Sequence, residues 1–67
     1  MFGSRVKELR TGRGWTQSEL GKKVGVNDSM ITQIERGTKQ ASAPLVGEIA
    51  EVLGVTTDWL IYGDKTA

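Results

Sequence analysis

Between Thr16 and Gly37 the chain reads TQSELGKKVGVNDSMITQIERG, with apolar residues at Leu20, Val24, Val26, Ile31 and Ile34. Leu20 and Val24 lie four apart and share one face of a helix. Ile31 and Ile34 lie three apart and share one face of another. Only Gly25, Val26 and Asn27 separate the two apolar pairs' helices. Two short helices joined by so tight a corner must cross steeply.

The remaining pattern extends this reading in both directions. Ser4 is placed to cap a first helix over 4–11, with Val6 and Leu9 inward and Arg5, Lys7 and Glu8 outward. Gly12 and Gly14 end it, and Trp15 follows as a plug for the core. Thr16 caps a second helix over 17–24, and Glu19 stands at the capping-box spacing. Asn27 caps a third helix over 28–36, with Asp28 in the first turn where the helix dipole favours it, and Gly37 stops it. A polar loop, Thr38 to Ser42, leads to a fourth helix over 44–53 that tolerates Pro44 at its start. Leu45, Ile49, Val52 and Leu53 form its apolar stripe, and Gly54 ends it. Thr56 caps a fifth helix over 57–62, closed by Gly63. No stretch alternates with period two, and there is no internal repeat or low-complexity run. The expected fold is all-α, five short helices around one core in a single domain over 1–67, with a helix-turn-helix at 17–36.

Composition narrows the function classes. A chain of 67 residues buries a modest core, so stability of about 3–10 kcal/mol is expected. It has no cysteine and no histidine, which removes thiolate metal sites, disulfides, and the commonest general base. No cofactor or metal is expected, and an enzyme is poorly supported. No apolar run approaches the ~20 residues that span a bilayer, and the N-terminus lacks a signal-peptide core. The chain reads as cytoplasmic, with no membrane partner.

The net charge is only +1. Its distribution is uneven: up to residue 39 eight basic residues oppose four acidic ones, for +4, and from residue 40 one lysine opposes four acids, for −3. A basic front and an acidic back suit contact with a polyanion on one side, but also an ordinary mixed surface.

The segment TQSELGKKVGV…ITQIERG resembles the helix-turn-helix of the lambdoid phage repressors and Cro proteins, the group also called Xre-type regulators. Arg10, Gln17 and Glu35-Arg36-Gly37 sit where that family has them, and the tail LGVTTDWLIYGD resembles its last helix. The likeness covers about residues 4 to 63. It implies a lambda-repressor-like DNA-binding domain and a transcription regulator, with a repressor role expected. One position departs from the family pattern. Gly21 stands where the family mostly has alanine, at a point where the two helices nearly touch. Glycine keeps that contact and costs ~1 kcal/mol of helix stability.

With Ile31 and Ile34 inward, Asp28, Ser29, Thr32, Gln33 and Arg36 point outward. The resemblance makes Asp28, Ser29, Thr32 and Gln33 the candidates for reading base edges. A carboxamide at Gln33 can pair twice with adenine. Thr32 offers a hydroxyl and a methyl, the latter for a thymine methyl. Ser29 suits a base or a phosphate. Asp28 can accept from cytosine N4, act against wrong sequences, or serve only the helix dipole. The phosphate candidates are Gln17, Asn27, Arg36, Lys39, Gln40 and Arg10. For Arg10 the family implies an alternative, a pair with Glu35. Lys22 and Lys23 read as a solvated face, Met30 as a packing residue, and Trp15 and Trp59 as core rather than stacking residues.

One recognition helix covers half a site, so double-stranded DNA is expected to be bound by a homodimer on a palindrome. The resemblance points to Val55, Leu60, Ile61 and Tyr62 for the dimer contact, weak without DNA. A rival reading uses the same fold as an antitoxin or another protein-interaction module, with a toxin or RNA polymerase as partner. The tail is compatible with both a whole protein and a fragment of a longer regulator.

Overall fold

The computed structural model describes residues 2–63; Asp64 and Lys65 of the charge tally lie outside the described residues. Five helices follow in order, α1 (Phe2–Gly12), α2 (Gln17–Val24), α3 (Asp28–Arg36), α4 (Ala43–Leu53) and α5 (Thr57–Tyr62). There is no strand among the described residues.

Each helix starts where its cap chemistry dictates, with one exception. Thr16 accepts from the Glu19 N–H at 3.0 Å, and the Glu19 carboxylate accepts from the Thr16 N–H at 2.8 Å, completing the capping box. Asn27, Ser42 and Thr56 cap α3, α4 and α5 by accepting from the N–H three residues on. The exception is α1. It begins at Phe2, so Ser4 lies within the first turn instead of capping it. Burial anchors that end: Phe2 packs against the core edge and Gly3 is buried.

The core takes residues from all five helices. Val6, Leu20, Ile31, Ile34, Ile49, Leu53 and Leu60 are fully buried, and Val24, Leu45 and Ala50 complete the cluster. Val52, expected in the α4 stripe, is half-buried while Ala50 is sealed, because the buried face of α4 is centred on Ile49 and Leu53. Trp15 lies at the rim, half-buried against the core instead of plugging it. Its ring carries the Lys23 ammonium 4.7 Å and the Arg13 guanidinium 5.5 Å from the centroid.

Two arginines tie the N-terminal part to the C-terminal helices. Neither α4 nor α5 has a basic residue in its last turn. Arg13 donates to the Leu53 carbonyl at the end of α4. Arg5 donates from Nε to the Leu60 carbonyl at 2.7 Å, and also to the Ile61 carbonyl. Cations thus reach both helix ends where the dipole favours them. Arg5, expected to face outward, is half-buried against α5 for this reason.

The corner between α2 and α3 is as tight as the spacing requires. Gly25 ends α2 in the left-handed conformation at φ 78°, and two residues later Asn27 opens α3. The smallness of Gly21 matters here. A Cβ at that position would stand 2.5 Å from the Val26 carbonyl oxygen, so the tight contact is with the backbone of the turn.

Candidate nucleic-acid interface

The outward side of α3 is uncovered. Asp28, Ser29 and Arg36 are exposed, and Thr32 and Gln33 are half-buried beside them. Gln33 donates from Nε2 to the Ser29 hydroxyl at 3.3 Å, one turn earlier on the same face. A shallow concavity of about 450 Å³ runs alongside, lined by Val26, Asn27, Ser29, Met30, Gln33 and Lys39. Of the four base-reading candidates, Ser29 and Gln33 line this concavity, and Asp28 and Thr32 lie on the same outward side of the helix.

A chain of charged and polar contacts holds this surface to the other two N-terminal helices. Arg10 on α1 donates from Nε to Glu35 Oε2 at 2.7 Å and from Nη2 to Oε1 at 3.1 Å. Its Nη1 donates to the Trp15 carbonyl at 2.7 Å. Both side chains are sealed, 9% and 3% exposed. The hydrogen bond to Glu35 raises the Arg10 pKa still further, against a smaller opposing effect of burial. Glu35 Oε1 also accepts from Gln17 Nε2 at 3.0 Å. At its other end, Gln17 Oε1 accepts from the Thr32 hydroxyl at 2.7 Å. Arg10, Glu35, Gln17 and Thr32 thus link α1, α2 and α3 in one run, ending on the outer face of α3.

This arrangement revises the phosphate set. Arg10 takes the pairing alternative: all three of its nitrogens are engaged and it is buried, so it is withdrawn from direct phosphate contact. Gln17 is half-buried and bridged at both ends, with one amide proton left for an outside acceptor. Asn27 spends its carbonyl oxygen on the Met30 N–H at 2.8 Å and stays exposed at the rim. Arg36, Lys39 and Gln40 are exposed around the end of α3. Met30 is half-buried against the core, as the helical wheel predicted.

The basic front is thinner than its charge suggests. Of its eight cations, Arg5, Arg10 and Arg13 bind carbonyls or a carboxylate of the protein itself. The carboxylates of Glu48, Glu51 and Asp58 are exposed on α4 and α5. No group of three or more candidate metal ligands exists among the described residues. No described helix is long and apolar enough to cross a membrane.

The expected dimer set is also revised. Leu60 is fully buried in the core and unavailable to a second chain. Ile61 and Tyr62 are 43% and 61% exposed, and Val55 is half-buried. Ile61 borders a groove of about 490 Å³ whose apolar lining includes Phe2, Ile34, Ala41 and Val46.

Sequence reasoning named the members of the charged run but missed the Gln17–Thr32 bridge and the helix-capping roles of Arg5 and Arg13. These pairs are separated by 15 to 56 positions, and no local pattern signals them.

Comparison with known proteins gives a consistent picture. A family model described as helix-turn-helix matches residues 6–60. An uncharacterized HTH-type transcriptional regulator of Bacillus subtilis (strain 168), YazB, is 32% identical over 65 residues, covering 97% of this chain and 94% of that protein. Other relatives are longer, and the chain spans 58% or as little as 14% of their length. Among solved structures, the P22 c2 repressor in complex with a synthetic operator superposes with a TM-score of 0.92 at 30% identity, covering 96% of this chain and 97% of that one. SinR, the master regulator for biofilm formation, in complex with DNA gives 0.83 at 34% identity, covering 91% and 98%.

Proposed function

Because this chain belongs to the helix-turn-helix family, in its Xre-type branch, we propose that it is a sequence-specific repressor that reads a palindromic operator as a dimer. The relatives are HTH-type transcriptional regulators, and DNA-binding regulation is the activity of the family. The observation that carries the finer reading is the uncovered polar face of α3, braced by the Arg10–Glu35–Gln17–Thr32 run. A preorganised reading face spends little binding energy on ordering its own side chains.

In this reading α3 enters the major groove. Gln33 pairs with adenine N6 and N7, while Ser29 and Thr32 read neighbouring base edges. Asp28 accepts from cytosine N4 or repels sequences that offer it no donor. Arg36, Lys39, Gln40, Asn27 and the spare amide proton of Gln17 meet phosphates and set the register. A second copy docks through Ile61, Tyr62 and Val55, aligning two α3 helices about one helical turn apart. Repression is then steric exclusion of polymerase from an overlapping promoter. The structural neighbour bound to an operator and the one bound to DNA support double-stranded DNA as the partner.

Gel-shift titration against random duplex, and against duplexes selected from a random library, tests this proposal at low and high salt. With about four phosphates neutralised per copy, the dimer is expected to show a log–log salt slope of roughly −7. The selected sites are expected to be palindromic. Salt-independent retardation, or none, would overturn the DNA-binding reading.

A further inference from the structure

The direction of a single proton on the reading face follows from the charged run beneath it. Glu35, paired with Arg10, is a carboxylate that only accepts, and one of its oxygens lies 3.0 Å from the Gln17 amide. That end of Gln17 must be the NH₂ group, since two oxygens there would repel. The carbonyl end of Gln17 therefore faces the Thr32 hydroxyl at 2.7 Å. A carbonyl cannot donate, so Thr32 must. The other polar neighbour of this hydroxyl is the Asp28 backbone carbonyl at 3.0 Å, which also only accepts. Whichever of the two takes the proton, it points into the protein.

We infer that Thr32 presents only lone pairs and its methyl group to the groove, and so reads an exocyclic amino group, adenine N6 or cytosine N4. This rests on the reading of α3 as the groove-entering helix. A free threonine hydroxyl is an indiscriminate reader, because it can turn to donate or accept. Here that freedom is removed by two acceptors, the Asp28 carbonyl and Gln17 Oε1, the second of them oriented by Arg10, 22 positions away in the chain, through Glu35. Purine N7, guanine O6 and thymine O4 offer only acceptors, and an acceptor facing the oxygen of Thr32 is repelled. Thr32 becomes a specificity-determining residue of one polarity, and Glu35 and Gln17 become positioning residues for it.

The test takes the site selected from a random library by the wild-type chain and compares Thr32→Val and Thr32→Ser on it. Thermal melts of both variants establish that each is folded. Thr32→Val keeps the shape and removes the lone pairs; it is expected to relax the base preference at one position per half-site, with about a 3- to 10-fold loss of affinity. Thr32→Ser is expected to keep that preference. At the relaxed position, the amino group of the base is then deleted, using purine for adenine or 2-pyrimidinone for cytosine. Wild type is expected to lose 3- to 10-fold, and Thr32→Val nothing further. Coupling of Thr32 to a purine N7, revealed by a 7-deazapurine probe, or to thymine O4, would overturn the inference. So would a folded Thr32→Val that leaves every position unchanged. In both cases the wild-type chain still selects a site, so the failure is of this inference; a wild-type chain that selects no sequence marks failure of the underlying DNA-binding reading.

Discussion

At the residue scale the decisive contact is Glu35 with Arg10. Two oxygens of one carboxylate meet two nitrogens of one guanidinium, out of water, and a carbonyl satisfies a third nitrogen. Removing one partner leaves the other charge buried and alone. Glu35→Ala is therefore expected to cost about 3–5 kcal/mol. For a chain of this size that is a large share of total stability, and urea denaturation monitored by circular dichroism should find most of the variant unfolded or close to it. Replacing both residues, by Arg10→Met with Glu35→Leu, is expected to recover much of the loss, because no unpaired charge remains. A loss below 1 kcal/mol in the single variant would mean that the pair is solvated in solution. The surface residue Gln33 behaves differently. It is half-buried on the reading face, and its side chain donates to the Ser29 hydroxyl. Gln33→Ala should leave the melting temperature nearly unchanged, cost about 1–3 kcal/mol of operator affinity and relax one base pair per half-site. An equal loss on every DNA sequence would reassign Gln33 to backbone contact. Its candidacy was legible from helical geometry and resemblance, since a wheel with Ile31 and Ile34 inward leaves few directions for it.

At the element scale the termini were the most legible feature. Thr16, Asn27 and Thr56 cap the helices for which the sequence nominated them, and Gly25, Gly37 and Gly63 end those helices with positive φ. Caps are local chemistry, a side-chain oxygen meeting an N–H three residues on, so a local reading can find them. The start of α1 was misplaced because its anchor is not local. Gly3 is buried where a Cβ would clash with the Ile34 carbonyl oxygen, a contact made across the fold. The capping box of α2 supplies a pH test. The hydrogen bond from the Thr16 N–H, aided by the Thr16 side chain, holds the Glu19 carboxyl below its ordinary pKa. A lowered folded-state pKa contributes stability that is complete above the unfolded value and is lost as pH falls through the folded one. Glu19→Ala should thus be less stable than wild type near neutral pH and converge with it below the ordinary carboxylate range, as read by thermal melts across pH. Thr16→Ala, which removes the cap oxygen itself, is expected to cost about 1 kcal/mol.

At the scale of the whole molecule, two surfaces face different partners in the proposed function. The α3 side is polar and uncovered, while Ile61 and Tyr62 expose apolar area beside the groove that includes Phe2 and Val46. Ile61→Asp places a charge on the second surface without touching the first. It is expected to fold normally, to keep its affinity for a single half-site, and to lose cooperative binding to the full palindrome by sedimentation and gel shift. Retained cooperativity would locate the dimer contact elsewhere. The charge asymmetry of the chain carries less weight than its tally suggests. Arg5 and Arg13 bind the C-terminal carbonyls of α5 and α4, so part of the basic half works as internal stitching between helices. Salt dependence should accordingly follow the exposed cations, chiefly Arg36 and Lys39 around α3, more than the formal charge.

Helix number, helix order, the tight α2–α3 corner and most of the core were written in local spacing, because apolar periodicity and cap chemistry act over three or four residues. What distant residues do to one another was settled only by packing. The chain brings Arg10 under Glu35, Gln17 against Thr32, Arg5 against α5, and Leu60 into the core instead of onto a dimer face. Long side chains such as arginine and glutamine have many possible partners in one dimension, and burial in three dimensions selects among them.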